Sequence, residues 1–372
     1  MLLFKYILGN AVTRKPESEC EDEILAVSTH DSRELAIRIF HKNIPEYPRD
    51  LFKVSLINTP HIGESQVTAI RFAGKYTKTC GYIFPIASLR TGEYLPEGRW
   101  PMIYAAAATR EILESEIATH LISDSILGAS ELEVNDIFPE NLGILVLGRQ
   151  QIEEFSTSIE AVELMLMEYG YVPQSINIKS SSVLGSETPY EARISLRQLA
   201  NDLADEVLAL HWLMGYRYMQ KTMTGIFLTL YQIIECVLSR VFGIAMEHMI
   251  SDPRSRRDPW WVREMVQQIQ TDKWRLNLIK QHCMRSNIPH NSFSDNSTAC
   301  EKLLLDLKFR EANSKELPWS GALYRIRNIF VHNQAVLREA DDHLLLEVCE
   351  TLQQVCFVIM GGYSDPSPDC LK

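Results

Sequence analysis

Three polar side chains interrupt an apolar stretch near the end of this 372-residue chain: Arg327, Asn328 and His332, set among Leu323, Ile326, Phe330 and Val331. The apolar positions keep the helical period and read as the buried stripe of a helix. Arginine, asparagine and histidine are costly to bury unless they are paired or used. On a helix Asn328 and His332 are four apart and share a face. Arg327 and His332 are five apart and point about 140° away from each other. They converge only at a helix end, or where a second copy of the chain supplies the partner. Convergence would give a defined chemistry. A guanidinium is a permanently charged fork matched to phosphate, and imidazole is the side chain suited to moving a proton near neutrality. A phosphate clamp beside a general acid/base suffices to cleave RNA without a metal. Histidine takes the 2′-hydroxyl proton or protonates the leaving 5′-oxygen, and arginine steadies the charge building on phosphorus.

The run Arg327-Asn328-x-x-x-His332 resembles the R-(polar)-x-x-x-H motif of HEPN domains, an all-helical superfamily, over roughly the last 150–180 residues, a size suited to one domain. The resemblance implies a helical bundle that pairs as a homodimer with two motifs face to face. It also implies metal-independent endoribonuclease activity on RNA with no cofactor, as in toxins and phage-defence (antiviral) effectors, and with it an antitoxin or regulatory partner. It further implies that an acidic residue on an early helix approaches the motif. Glu235, flanked by Ile233, Ile234, Val237 and Leu238, is the candidate to orient Arg327 or His332. From the residues alone, a carboxylate in that setting needs a partner, and a structural salt bridge to Arg325 or Arg327 meets the need equally well. Arg325, two positions before Arg327, points elsewhere and reads as a surface or interface cation.

A second set lies in the first half. Arg99-Trp100, Tyr104-Ala105-Ala106 and a helix carrying Glu116 resemble the core of RES domains, relatives of ADP-ribosyltransferases that include NAD-degrading toxins. This resemblance implies NAD as substrate, with Arg71, Arg99, Tyr104 and Glu116 as its contacts and a serine among residues 180–182. The chain departs from that pattern: the tyrosine-to-glutamate gap is one residue longer, and no Asn-Gly follows Trp100. Taken without the resemblance, Arg99 is a loop cation, Tyr104 a strand core residue and Glu116 a solvated helix face, which is the preferred reading.

These residues need elements to position them. The chain is 46% hydrophobic and 23% charged, ordinary for a soluble globular protein, and its net charge of −11 argues against a generic nucleic-acid coat. Eight cysteines without CxxC or zinc spacing suggest reduced thiols, no metal site and a cytoplasmic protein. Cys349 and Cys356 read as core. Residues 1–12 make a poor signal peptide. The most apolar run, residues 225–246, contains Gln232, Glu235 and Arg240, which predicts a buried bundle helix and no membrane span.

Strands are predicted over residues 2–8, 65–72, 81–84, 102–105 and 141–147, with an acidic loop over 15–23. Helices are predicted over 32–40, 109–121 (capped by Thr109) and 159–169. These make a mixed α/β domain over residues 1–190, with a RES-like and a sensory reading both open. From Ser195 strand signals vanish. Helices are predicted over 196–219, with Leu199, Leu203, Val207, Leu210 and Met214 on one stripe, over 224–242 capped by Thr224, over 260–284, over 299–309 capped by Asn296, after Pro318, and over 340–360 closed by Gly361-Gly362. The fold class is therefore an α+β N-terminal half followed by an all-α, HEPN-like bundle over residues 191–372. Residues 254–285 carry eight Lys/Arg interleaved with Trp260, Trp261 and Trp274. That mixture suits single-stranded RNA, but inward-packed tryptophans beside a solvated basic face are preferred. His211, His282 and His290 read as ordinary helix and loop residues. Three functions follow: an endoribonuclease restrained by its N-terminal half, a NAD-consuming or ADP-ribosyl-transferring N-terminal half that HEPN dimerises, and a non-catalytic nucleotide-binding scaffold.

Overall fold

A computed structural model of the chain describes residues 12–14, 24–29, 34–38, 49–60, 66–73, 78–89, 99–114, 131–174, 192–283, 291–311 and 315–367. The described residues up to Gln198 form one compact unit and those from Leu199 a second.

The first unit holds ten described strands: β1 (Val12–Arg14), β2 (Ile24–Thr29), β3 (Glu34–Arg38), β4 (Phe52–Asn58), β5 (Thr68–Phe72), β6 (Thr79–Pro85), β7 (Glu131–Glu133), β8 (Leu142–Gly148), β9 (Val172–Pro173) and β10 (Arg193–Leu196). They form a four-stranded sheet in the order β1-β2-β3-β7 and a six-stranded sheet in the order β10-β5-β6-β8-β4-β9. The pairs β3/β7 and β10/β5 are parallel and the rest antiparallel. The run Leu-Gly-Ile-Leu-Val-Leu-Gly of β8 is buried at every position, as a central strand covered on both faces must be. Leu142, Ile144 and Val146 join one core with Ile103, Ala107 and Ile112 of helix α1 (Arg99–Glu114). Next in order come α2 (Val134–Ile137), α3 (Arg149–Glu154) and α4 (Ile159–Leu166). Leu145 and Leu147 join a second core with Ile152 of α3 and Val162, Met165 and Leu166 of α4. Gly81 sits where a Cβ would come within 2.5 Å of both Leu147 Cδ2 and the Val146 carbonyl oxygen, so β6 approaches β8 this closely only with glycine.

The second unit is helical: α5 (Val207–Met219), α6 (Met223–Ser251), α7 (Pro259–Ile269), α8 (Asp272–Cys283), α9 (Asn291–Asp306), α10 (Trp319–His332) and α11 (Asp342–Gly362). The 29-residue α6 runs through the middle and packs against α5, α7, α8, α10 and α11. Both α6 and α11 are long and apolar enough to cross a membrane by length and composition, and both bury their apolar faces in the bundle. Arg240 of α6 is held by Asp365, with Nε and Nη2 donating at 2.7 and 2.6 Å, and by Glu206 at 3.0 Å. Cys349 and Cys356 lie in the core, where their thiols donate to the carbonyls of Met223 and Leu230. The six described cysteines are free thiols.

The coarse division into an α+β half and an all-α half thus holds, and several details change. Within the predicted helix over residues 32–40, Glu34–Arg38 form the strand β3, where pairing with β2 and β7 overrides the local spacing. The predicted strand over 102–105 lies inside α1. Pro101 fits a first helical turn and four consecutive alanines, Ala105 to Ala108, favour helix. Thr109 is consequently mid-helix and fully buried, not a cap. Strand β10 carries Arg193–Leu196 into the first unit, so Leu196 is sheet core and the division falls after Gln198 instead of residue 190. A 3-10 turn at Asn201–Glu206 breaks the predicted stripe, leaving Leu203, Leu210 and Met214 buried and Leu199 and Val207 only half-buried. Thr222, not Thr224, caps α6, accepting from the Gly225 amide at 3.1 Å. The predicted helix over 260–284 divides at Thr271, whose carbonyl accepts the first hydrogen bonds of α8. Asn296 lies inside α9, fully buried. Gly362 is the last helical residue of α11, and Tyr363 is its cap. Residues 2–8 and 15–23, together with Glu116, residues 180–182 and His290, lie outside the described residues.

Candidate functional site

The motif helix α10 is fixed at its start by α9. Glu301 accepts from the Leu317 amide at 2.6 Å and pairs with Arg310 at 2.7 Å. The Pro318 carbonyl then accepts from Gly321 and Ala322 and opens the helix. Trp319, Leu323, Ile326 and Phe330 are buried along it. Val331, expected in that stripe, is exposed, because Phe330 takes the inward position and Val331 is turned about 100° away on the last turn.

The contact of α10 with α6 has a readable register. Phe330 stacks on Phe227 with ring centroids 4.0 Å apart. One turn along α6, the Arg327 guanidinium lies 5.9 Å from the centre of the Tyr231 ring. One further turn along, Glu235 meets Arg327 Nη2 at 3.7 Å. Numbers fall on α10 as they rise on α6, so the helices run antiparallel here. His332 therefore lies toward the Phe227 end, about 12 Å along α6 from Glu235. Glu235 is placed to orient Arg327 and is not placed to orient His332. Asn328 also holds Arg327, its Oδ1 accepting from Nη1 at 3.3 Å.

His332 is the last residue of α10 and is exposed, as are Val331 and Asn333 on either side. Within one chain, and among the described residues, it shares no hydrogen bond or ion pair with Arg327. The fork is drawn back onto α6, while the imidazole stands open at the helix end. Arg325 is exposed, as expected of a surface cation.

Three neighbours carried no motif signal. Tyr231 is buried, and its hydroxyl has no hydrogen-bond partner among the described residues. Burial first, then the charges of Asp272 and Glu235, push its pKa above the ordinary value, while Arg327 and Arg275 oppose the rise. Asp272 and Arg275 pair with each other at the start of α8. Their only sequence signal is two opposite charges three apart on a helix. The site thus gathers two guanidiniums and two carboxylates from α6, α8 and α10 around one buried phenol. The Nε atoms of Arg327 and Arg275 are both buried with no acceptor among the described residues.

Because the Arg327–Glu235 pair is half-exposed, it contributes no more than about 1 kcal/mol to stability. Replacing Glu235 with Gln should leave the melting temperature within about 4 °C of the parent and release the guanidinium, which a several-fold loss of any phosphate-directed activity would report. Unchanged activity in a folded Glu235→Gln chain would remove Glu235 from the site.

In the first unit, burial pushes the Tyr82 hydroxyl of β6 above its ordinary pKa, opposed by a hydrogen bond with the Thr79 side chain and by the nearby charge of Arg71 on β5. The Tyr82 ring meets Tyr104 edge-on at 5.1 Å. Tyr104 is on a helix, not a strand, and is buried against Phe52 and Tyr82. Arg99 opens the same helix. No group of three His, Cys, Asp or Glu with metal-ligand geometry occurs among the described residues. No protein-family model matches the chain, and comparison with curated proteins and with solved structures returns no match.

Proposed function

We propose that the helical unit is a metal-independent, HEPN-type endoribonuclease that works as a homodimer. The observation that carries the proposal is the division of labour on α10: Arg327 is steadied by Glu235 and Asn328, and His332 is presented to solvent at the end of the same helix. Five residues separate them by about 7.5 Å along the axis and 140° around it. A second copy, placing its α10 end against the first, brings one chain's imidazole to the other's guanidinium. In that arrangement His332 removes the 2′-hydroxyl proton, the 2′-oxygen bonds to phosphorus, and the bond from phosphorus to the 5′-oxygen breaks. The leaving 5′-oxygen takes a proton from water, the imidazolium gives its proton back to solvent, and the ends are a 2′,3′-cyclic phosphate and a 5′-hydroxyl. Arg327 stabilises the added negative charge on the non-bridging oxygens. Unrestrained RNA cleavage is harmful, so a toxin or phage-defence role goes with the proposal.

The test is incubation of the full chain with end-labelled RNA in EDTA. Cleavage leaving cyclic-phosphate ends, lost in Arg327→Ala and in His332→Ala, supports the nuclease. NAD consumption that survives His332→Ala would instead move the activity to the first unit. Neither activity in a folded dimer would favour the scaffold.

A further inference from the structure

The turn after α6 and the start of α7 carry a second surface. Asp252, Arg254, Arg256, Arg257, Asp258, Trp260 and Arg263 fall within twelve residues, four cations against two carboxylates in a chain of net charge −11. Both carboxylates are engaged. Asp252 pairs with Arg254 at 2.8 Å, and Asp258 caps α7 by accepting from the amides of Trp260 and Trp261, both at 3.1 Å. Arg254 itself is committed, its guanidinium lying 4.6 Å from the Trp261 ring centre. Arg256, Arg257 and Arg263 are exposed and have no ion pair among the described residues. Beside them Trp260 is 73% exposed, with the Arg263 guanidinium 6.0 Å from its ring centre. The inward packing expected of this tryptophan does not occur.

We infer that this surface binds single-stranded RNA, with a base stacked on Trp260 and phosphates held by Arg256, Arg257 and Arg263. An open aromatic face among uncompensated cations is the chemistry that single strands offer bases and phosphates to. A lipid surface is the poorer fit. Of the other apolar residues of α7, Met265 and Ile269 are buried and Trp261, Val262 and Val266 half-buried, which leaves Trp260 and Ile250 at the end of α6 as the exposed large apolar side chains here, too narrow a face to enter a bilayer. The inference deepens the nuclease proposal by naming how the substrate is gripped. Arg327 meets α6 at Glu235, and the surface follows the end of α6 just past Ile250, about 22 Å along that helix, within reach of one short strand.

The test is binding of a fluorescent twelve-nucleotide oligouridine to the full-length His332→Ala chain, with the oligouridine–oligoadenine duplex and anionic phosphatidylserine vesicles as comparisons. Binding is read separately from cleavage, so failure of the nuclease and failure of the grip are distinguishable. Trp260→Ala is expected to weaken single-strand binding roughly 5- to 150-fold, with Trp260→Phe restoring most of it and Trp260→Leu little. Reversal of Arg256, Arg257 and Arg263 to Glu should also flatten the salt dependence by about 0.7 log units per lost phosphate contact. Affinity within twofold of the parent in Trp260→Ala would overturn the inference. So would equal dependence on Trp260 for the duplex, or vesicle binding without oligouridine binding.

Discussion

His332→Ala is expected to lower RNA cleavage in EDTA by about 10²- to 10⁴-fold, the range general acid/base catalysis spans, while moving the melting temperature by no more than about 2 °C. The two halves of this expectation come from one fact. His332 is exposed at the end of α10, so little packing is lost with it. Arg327→Ala should lower cleavage by about 10²- to 10³-fold, the effect of removing one donor from a developing anion. Arg327→Lys should recover only part, since lysine keeps the charge and loses the fork. Mixing Arg327→Ala with His332→Ala chains adds a readout specific to a shared cleft. If each active centre takes its imidazole from one copy and its guanidinium from the other, a heterodimer keeps one centre with neither residue and one with both. A heterodimer then has about half the activity of the parent dimer, and an equal mixture exchanging at random recovers about a quarter. No return on mixing, in chains shown to exchange, would place both groups on one copy. Parent-like cleavage by His332→Ala would end the nuclease proposal.

How far the sequence carries depends on which physical signal each element needs. Strand β8 was legible because a continuous Leu/Ile/Val run bounded by Gly148 has few other homes. The motif helix was legible from the spacing of Leu323, Ile326 and Phe330. Strand β3 was not, because five residues hold too few apolar positions to separate a period of two from one of 3.6. At the site, periodicity could say that Glu235 needed a partner. It could not say which, since the choice between Arg327 and His332 rests on the antiparallel register of α6 and α10. That register is set by long-range packing of Phe227 on Phe330, which leaves no local trace. Tyr231, Asp272 and Arg275 were invisible for the same reason, each unexceptional on its own helix.

The largest stability effect belongs to a residue read as a helix cap. Asn296 is fully buried in α9, where its Oδ1 accepts from the Trp319 indole Nε1 at 2.9 Å and its Nδ2 donates to Thr351 Oγ1 at 3.0 Å. One amide therefore ties α9 to the first residue of α10 and to the middle of α11. Trp319 is buried too, its ring edge-on to Phe293 at 4.8 Å, so its N–H has no water to turn to. Asn296→Ala removes these two hydrogen bonds and the longer ones to the Val348 carbonyl and from the Cys300 thiol, leaves the indole N–H unsatisfied and opens a small void. These effects destabilise by about 2–4 kcal/mol together. Urea unfolding should show this as a lower midpoint with an unchanged slope. The cycle with Trp319→Phe separates the causes. If the orphaned indole dominates, Asn296→Ala should cost less in the Trp319→Phe background than alone, by about 1 kcal/mol or more. Additive losses would show that the amide acts through Thr351 and packing instead. Because Trp319 begins the helix that carries Arg327 and His332, the same variant should lose cleavage only as it unfolds, with activity and the folded fraction falling along one curve.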